Sequence, residues 1–259
     1  MLNFAIETAR EAAAILLDKF GKITVSKKGD INLVTEADLA SEKHILEKIS
    51  SYYPKHAILA EESGESAIVI DGNNKWKWII DPLDGTTNYA HGYPCFCVTI
   101  ALEHEGEIVL GVTFDPTRNE LFSAEKGQGA SLNNKPIRVS ETEKLSEALI
   151  VTGFPYDIAK REDFARHLTQ FLLRSRGVRR DGSAAIDMAY VACGRFDGFW
   201  EEGLNPWDVA AGFLLIEEAG GEVSYYDGSK FNIYTPPICA SNGAIHGEML
   251  EILKAETRA

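Results

Sequence analysis

The sequence predicts an α+β fold in which layers of helices alternate with sheets. The first reason is order: helical stretches come in pairs around runs of strands, without strict βαβ alternation. The second is a run of short strands separated by turn signals from Phe96 to Val139, the pattern of an antiparallel meander. The third is size and composition. A chain of 259 residues, 45% hydrophobic and 25% charged, suits one domain (1–259) of two intimately packed α+β halves, with a boundary near 145–150. No internal repeat, linker or low-complexity tract interrupts it.

Leu2, Ile6, Ala9, Ala13, Leu16 and Phe20 recur at alternating fours and threes, which makes an amphipathic first helix ended by Gly21. Lys22 to Asn32 is polar and reads as a mobile loop or short hairpin. A second helix is expected from Glu36 to Tyr52, opened by the capping-box pattern Thr35-x-x-Asp38 and closed before Pro54. Ala57 to Ala60 is a short strand, Gly64 to Lys75 a polar loop, and Trp76 to Ile80 a buried strand that runs into Asp81. Tyr89 to Pro94 is a short irregular or helical piece. Strands at Phe96–Glu103, Glu107–Asp115 and Glu120–Glu125 follow, and Gln128–Val139 adds a hairpin turning at Asn133-Asn134. The second half reads as a strand at Leu149–Thr152, a helix at Ala159–Arg174, a helix at Ala184–Cys193 and a strand at Phe196–Glu201. A helix at Trp207–Ala219 with Pro206 at its start, strands at Val223–Tyr226 and Ile238–Ser241, and a closing helix at Ala244–Ala255 complete it.

The formal charge of −13, from 26 Lys plus Arg against 39 Asp plus Glu, argues against general nucleic-acid or anionic-membrane binding. An anionic small molecule remains admissible if cations supply positive charge locally. Four cysteines in a chain this long are no disulfide framework, and Cys95-x-Cys97 lacks a second pair at zinc spacing, so both read as small core residues. Glu7, Arg10, Glu11 and Asp18 exclude a signal peptide or membrane span at the N-terminus. The expected setting is reduced and cytoplasmic.

The stretch Lys75–Ala90 carries the chemistry. An apolar strand ends in Asp81-Pro82-Leu83-Asp84-Gly85-Thr86-Thr87. Carboxylates three apart on a turn point the same way, and a Gly-Thr-Thr opening a helix offers backbone N–H groups, which together suit a divalent cation beside an anion. The same residues also make an ordinary Pro-x-Asp-Gly turn, and both readings stand on this window alone. Asp38 likewise reads either as a helix cap or as a site carboxylate. Asp38, Glu61, Asp81, Asp84 and Asp208 all fall at the end of an expected strand or the start of a helix. Oxygen-only ligands gathered in this way suit Mg²⁺, and ions about 4 Å apart form the clamp used in phosphoryl hydrolysis. Gly85, Thr86 and Thr87 would hold a phosphate. Thr86 would orient a water whose proton passes to Asp38.

Glu61-Glu62-Ser63, the run Trp78 to Asn88, and Trp207-Asp208-Val209-Ala210-Ala211-Gly212 resemble the signatures of the inositol monophosphatase family, as do Asn32 to Asp38 and Gly182-Ser183-Ala184-Ala185. The run from Arg179 to Gly212 is most similar to bacterial members. The match covers nearly the whole chain. It implies a five-layered αβαβα sandwich, usually dimeric, and a lithium-sensitive phosphatase acting on small phosphorylated polyols or sugars with two or three Mg²⁺ ions. Carried over by position, Glu61, Asp81 and the Leu83 carbonyl would bind one ion, and Asp81, Asp84 and Asp208 a second. Glu61 would share a third. Asp38 and Thr86 would activate water, and Gly85 with Thr86 would hold phosphate. Asp84, Ser183, Ala184, Glu201 and Asp208 would meet substrate hydroxyls. The segment Lys27 to Asn32 would close over the site. Glu62 reads as a solvated or outlying carboxylate and His91 as structural.

The expected substrate is inositol 1-phosphate or a similar polyol phosphate. The alternative is fructose-1,6-bisphosphatase or dual-specificity sugar phosphatase activity, with Arg180 beside Arg179 docking a second phosphate. The basic run also reads as a solvated stretch or dimer contact. A third reading, a non-catalytic regulatory protein on the same fold, is opposed by the intact set of five acids and Thr86.

Overall fold

A computed structural model describes residues 1–22, 25–28, 32–66, 75–155, 161–235 and 237–255. The chain begins with α1 (Leu2–Lys19), β1 (Val25–Lys28), β2 (Asn32–Thr35), α2 (Glu36–Tyr52), β3 (Ala57–Ala60), β4 (Gly64–Ser66), β5 (Trp76–Asp84) and α3 (Thr86–Ala90). The meander follows as β6 (Cys97–His104), β7 (Glu107–Asp115), β8 (Glu120–Glu125), β9 (Gly129–Leu132) and β10 (Lys135–Pro136). Then come β11 (Leu149–Thr152), α4 (Arg161–Arg174), β12 (Gly177–Arg179), α5 (Ala184–Ala192) and β13 (Gly198–Glu201). The chain ends with α6 (Pro206–Glu218), β14 (Glu222–Ser224), β15 (Ile238–Ser241) and α7 (His246–Ala255).

The strands form an eight-stranded sheet ordered β10-β9-β8-β7-β6-β5-β3-β4 and a five-stranded sheet ordered β12-β11-β13-β15-β14. Helices α1 and α2 cover one face of the large sheet, α5 and α6 fill the space between the sheets, and α4 and α7 lie together on the small one. The chain is thus the five-layered αβαβα sandwich. The layering explains why β5 is apolar on both faces: Trp78 and Ile80 enter the core under α1 and α2, while Ile79 enters the core shared with α5 and α6. Gly111 on β7 lets α6 come close, since a Cβ there would stand 2.9 Å from the Ala211 Cα. Asp208 stands one turn before that contact on the same helix.

Several boundaries shift. The segment expected as loop or hairpin is the hairpin β1–β2, with Lys28 paired to Asn32, while Gly29 and Asp30 lie outside the described residues. The expected loop at Gly64–Lys75 starts as β4, which pairs with β3, and residues 67–74 lie outside the described residues. The basic run contains β12, joined parallel to β11, where no strand was expected. β5 runs on through Asp84 with a shift of register between Asp81 and Asp84, so the expected turn is a bulged strand end. Cys95 and Cys97 are buried, as small core residues should be, and all four cysteines are free. Among the described residues no helix is long and apolar enough to cross a membrane.

Candidate active site

The bulge at the end of β5 sets Asp81 and Asp84 on one edge. Asp81 Oδ1 accepts from the Leu83 N–H at 2.9 Å, which curls the backbone back on itself. Asp84 Oδ2 accepts from the Ala185 N–H at 2.9 Å and from the Ser183 hydroxyl, so α5 grips it from the middle layer. Asp208 stands third in α6 and its Oδ2 accepts from the Asn205 N–H at 2.6 Å. Asp81, Asp84 and Asp208 each bring one carboxylate oxygen within 4.8 Å of the others. Three carboxylates at that spacing repel one another. Burial, and then the charges of Glu61, Asp84 and Asp208, push Asp81 well above the carboxylate range. Burial followed by Asp84 pushes Asp208 to about 7. Burial followed by Asp208 and Glu62 pushes Glu61 to about 8. An all-oxygen set that holds protons this tightly fits a hard divalent cation, which would displace the protons and offset the repulsion.

Asp38 serves both of its expected purposes. Its Oδ2 accepts from the Thr35 N–H at 2.9 Å and from the Thr35 hydroxyl, completing the capping box of α2. Its Oδ1 accepts from the Thr86 hydroxyl at 3.2 Å. The Thr86 hydroxyl has a second acceptor in the Leu83 carbonyl at 3.1 Å. Burial raises the Asp38 carboxyl against the pull of the Thr35 bonds. Gly85 precedes α3 with φ +89, and a Cβ there would meet the Cys95 carbonyl at 2.8 Å. Both facts require glycine. Asn88, in α3, ties this corner to the other half by donating to the Asp181 carbonyl at 2.8 Å and the Gly182 carbonyl at 3.2 Å.

Two adjoining clefts result. One of about 110 Å³ is lined by Glu61, Asp81, Leu83, Thr86 and Asn205 among others. Its neighbour of about 60 Å³ is lined by Phe154, Arg180, Ser183, Ala184, Asp187 and Glu201. They share Asp84, Gly85, Leu204 and Asp208. Every expected site residue therefore lies in or against one of them except Asp38, which reaches the first through Thr86. A larger groove of about 580 Å³ along β9, β10 and the end of α6 is remote from these carboxylates, and its Glu218 is occupied by the Gly127 and Gly129 N–H groups at 2.7 Å.

The second cleft sets Glu201 and Arg180 beside Gly153, Phe154 and Asp187, which the sequence did not single out. The Glu201 carboxylate lies flat against Gly153, where a Cβ would come within 2.2 Å of its atoms. Burial, with Asp208 next, raises Glu201 well above the carboxylate range, and Arg180 pulls it down. The Arg180 guanidinium sits 4.7 Å above the Phe154 ring. Asp187 is buried on α5. The sequence signal for it was available: it is the one charged residue in Ala184–Ala192.

Comparison with known proteins decides the family. The model of the inositol monophosphatase family matches residues 1–258. The chain belongs to that family. It is 48% identical to the inositol-1-monophosphatase of Synechocystis sp. over 98% of this chain and 88% of that protein. It is 42% identical to the Nus factor SuhB of Pseudomonas aeruginosa over 93% and 91%. The crystal structure of the extragenic suppressor protein suhB from Bartonella henselae superposes with a TM-score of 0.92 at 40% identity, covering 97% of each chain. The chain is accordingly a phosphoric monoester hydrolase of a metal-dependent family, and its acidic cluster is the place where a metal would sit.

Proposed function

We propose that the chain hydrolyses inositol 1-phosphate or a similar polyol phosphate, with Mg²⁺ as the metal and a water as the nucleophile. The observation that carries this is the juxtaposition of the Asp81–Asp84–Asp208 cluster with the Thr86–Asp38 pair. Mg²⁺ held by Glu61, Asp81, the Leu83 carbonyl, Asp84 and Asp208 would lower the pKa of the attacking water and neutralise charge on the phosphate. Thr86 orients that water: donating its own proton to Asp38 leaves its oxygen lone pairs to accept from the water. The proton then moves through Thr86 Oγ1 to Asp38 Oδ1, and burial makes Asp38 a stronger base than an exposed aspartate. The N–H groups of Gly85, Thr86 and Thr87 hold the phosphate oxygens. α3 has only five residues, so it is the N–H groups themselves and not a long helix dipole that act. Ala184, Glu201 and the outer faces of Asp84 and Asp208 receive the hydroxyls. Ser183 holds Asp84 in place. Phosphate release from a panel of phosphomonoesters, with Mg²⁺ and with EDTA, tests this. Turnover undiminished by EDTA would sink the mechanism.

A bisphosphate substrate is the second reading, favoured by Arg180 on the wall of the second cleft. Comparing kcat/KM for inositol 1-phosphate and fructose 1,6-bisphosphate in wild type and Arg180→Ala separates the two. A regulatory role, suggested by relatives named Nus factor SuhB, is compatible with catalysis because the five acids and Thr86 are all in place. Lithium would compete at the Asp81–Asp84–Asp208 ion. The homodimer implied by the family is checked by sedimentation.

A further inference from the structure

We propose that Asp187 is a specificity-determining residue, its carboxyl hydrogen-bonding the ring hydroxyls of the substrate at the end of the second cleft away from the phosphate. The inference rests on the polyol-phosphate reading above and adds a residue to it.

Asp187 is 1% exposed, yet both of its carboxyl oxygens are buried without a hydrogen-bond partner. Leaving such a group unsatisfied in the interior opposes folding. The fold does not need it. Its neighbours on α5, Ala185, Ile186, Met188 and Ala189, are all buried apolar side chains, and an apolar residue would serve the packing better. Asp187 lies one turn after Ser183 and lines the same cleft as Ser183, Ala184 and Glu201. An unpartnered carboxyl at the wall of a substrate cleft is satisfied by what enters the cleft.

The surrounding charges say what that is. Asp187 feels the repulsion of Asp181, Glu201 and Asp84 and the attraction of Arg180. A second phosphate seated there would meet one cation among several carboxyls. An ammonium would meet Arg180. A hydroxyl suits both, because it donates to the carboxyls and accepts from the guanidinium. Arg180 is exposed and packs on the half-exposed Phe154 ring, so its side chain is the part of the wall that can swing as a ring enters.

The test uses two substrates on one preparation of full-length enzyme with Mg²⁺: inositol 1-phosphate, and phenyl phosphate, whose ring has no hydroxyls. In Asp187→Asn, kcat/KM for inositol 1-phosphate relative to phenyl phosphate is expected to fall about tenfold, mostly through KM. Partial unfolding scales both rates and leaves their ratio alone, so a poorly folded variant still gives an answer. A ratio that stays within about twofold of wild type overturns the assignment. So does a change that instead raises the Mg²⁺ concentration for half-maximal rate, since Asp187 would then belong to the metal site. Wild type that shows no preference for inositol 1-phosphate over phenyl phosphate would sink the polyol reading itself, a result distinct from an unchanged ratio in the variant.

Discussion

On the metal-facing side, Asp38, Asp81, Asp84 and Asp208 each give one oxygen to a backbone N–H, from Thr35, Leu83, Ala185 and Asn205 respectively. On the hydroxyl-facing side, Asp187 gives neither of its oxygens to the protein, and Glu201 rests against a bare Gly153. The first set is aimed by the local backbone before any ligand arrives, because each carboxylate is fixed by a strand bulge, a helix cap or a helix start. In the second, the Gly153 N–H holds Glu201, while Asp187 is held by packing alone and would complete its bonding with substrate. Pre-aimed groups suit a reaction whose transition state is the same for every phosphomonoester. Less constrained groups suit the part of the substrate that varies.

The comparison breaks first at Asp84. Asp84→Asn keeps the size of the side chain but removes a charge from the cluster, and Ser183 and Ala185 already claim one of its acceptor atoms. We expect a loss on the order of 10²–10³-fold in kcat/KM for every phosphomonoester alike. Titration calorimetry should show weakened Mg²⁺ binding in the same variant. If the loss depended strongly on the leaving alcohol, the metal side would not be indifferent to substrate.

Asp38 sharpens the same point because it has a stake in both fold and chemistry. Asp38→Asn retains an oxygen to accept from the Thr35 N–H but is no base, so kcat should fall about 10²-fold with KM nearly steady. Its melting temperature should stay close to wild type. Asp38→Ala should lose the same activity and, in addition, about 1 kcal/mol of helix capping, measured by denaturant unfolding.

The legibility of the two sides in the sequence follows the same division. Asp81 to Thr87, Asp38 and Asp208 stand at element ends, where strand and helix signals locate them, and a carboxylate at a cap or strand terminus already has a stated reason to be there. The alternation of helix layers with sheets followed from paired helices around strand runs, and the number five from the family resemblance. β12 was not legible: a three-residue strand within Arg174–Arg180 has no period to read, and its pairing with β11 is a tertiary contact. Gly153 was not legible either, because its value lies in a carboxylate that arrives from a strand 48 positions away, as the Thr152 hydroxyl bond to the Trp200 carbonyl shows for its neighbour. Asp187 gave a signal that was passed over, a lone acid in an apolar helix.

The carboxyls of the metal side predict a pH dependence with a definite sign. Glu61 at about 8 and Asp208 at about 7 hold protons more tightly in the folded chain than at their ordinary values of 4.5 and 3.8. The folded state therefore binds more protons than the unfolded one between those limits, and stability falls as pH rises toward about 8. In EDTA the melting temperature should drop steadily across that window. With Mg²⁺ the drop should shrink, and at pH 7 metal binding should release more than one proton, seen by calorimetry in buffers of different ionisation enthalpy. Equal heats in the two buffers would mean the cluster is already ionised without metal.

The smallest expected effect is the one that isolates the hydroxyl side. Gly153 has no positive φ, so Gly153→Ala is permitted by the backbone, and the atoms nearest the added methyl all belong to the end of the Glu201 side chain. The fold should survive while Glu201 swings off the cleft. We expect KM for inositol 1-phosphate to rise about tenfold with kcat little changed, the pattern of lost uniform binding. Phenyl phosphate makes no hydroxyl contacts, so its KM should rise by less. If both substrates lost equally in kcat, Gly153 would be acting on the metal cluster through Asp208, whose charge Glu201 feels most strongly after burial. The division between a pre-aimed wall and a substrate-completed one would then fail where the two clefts meet.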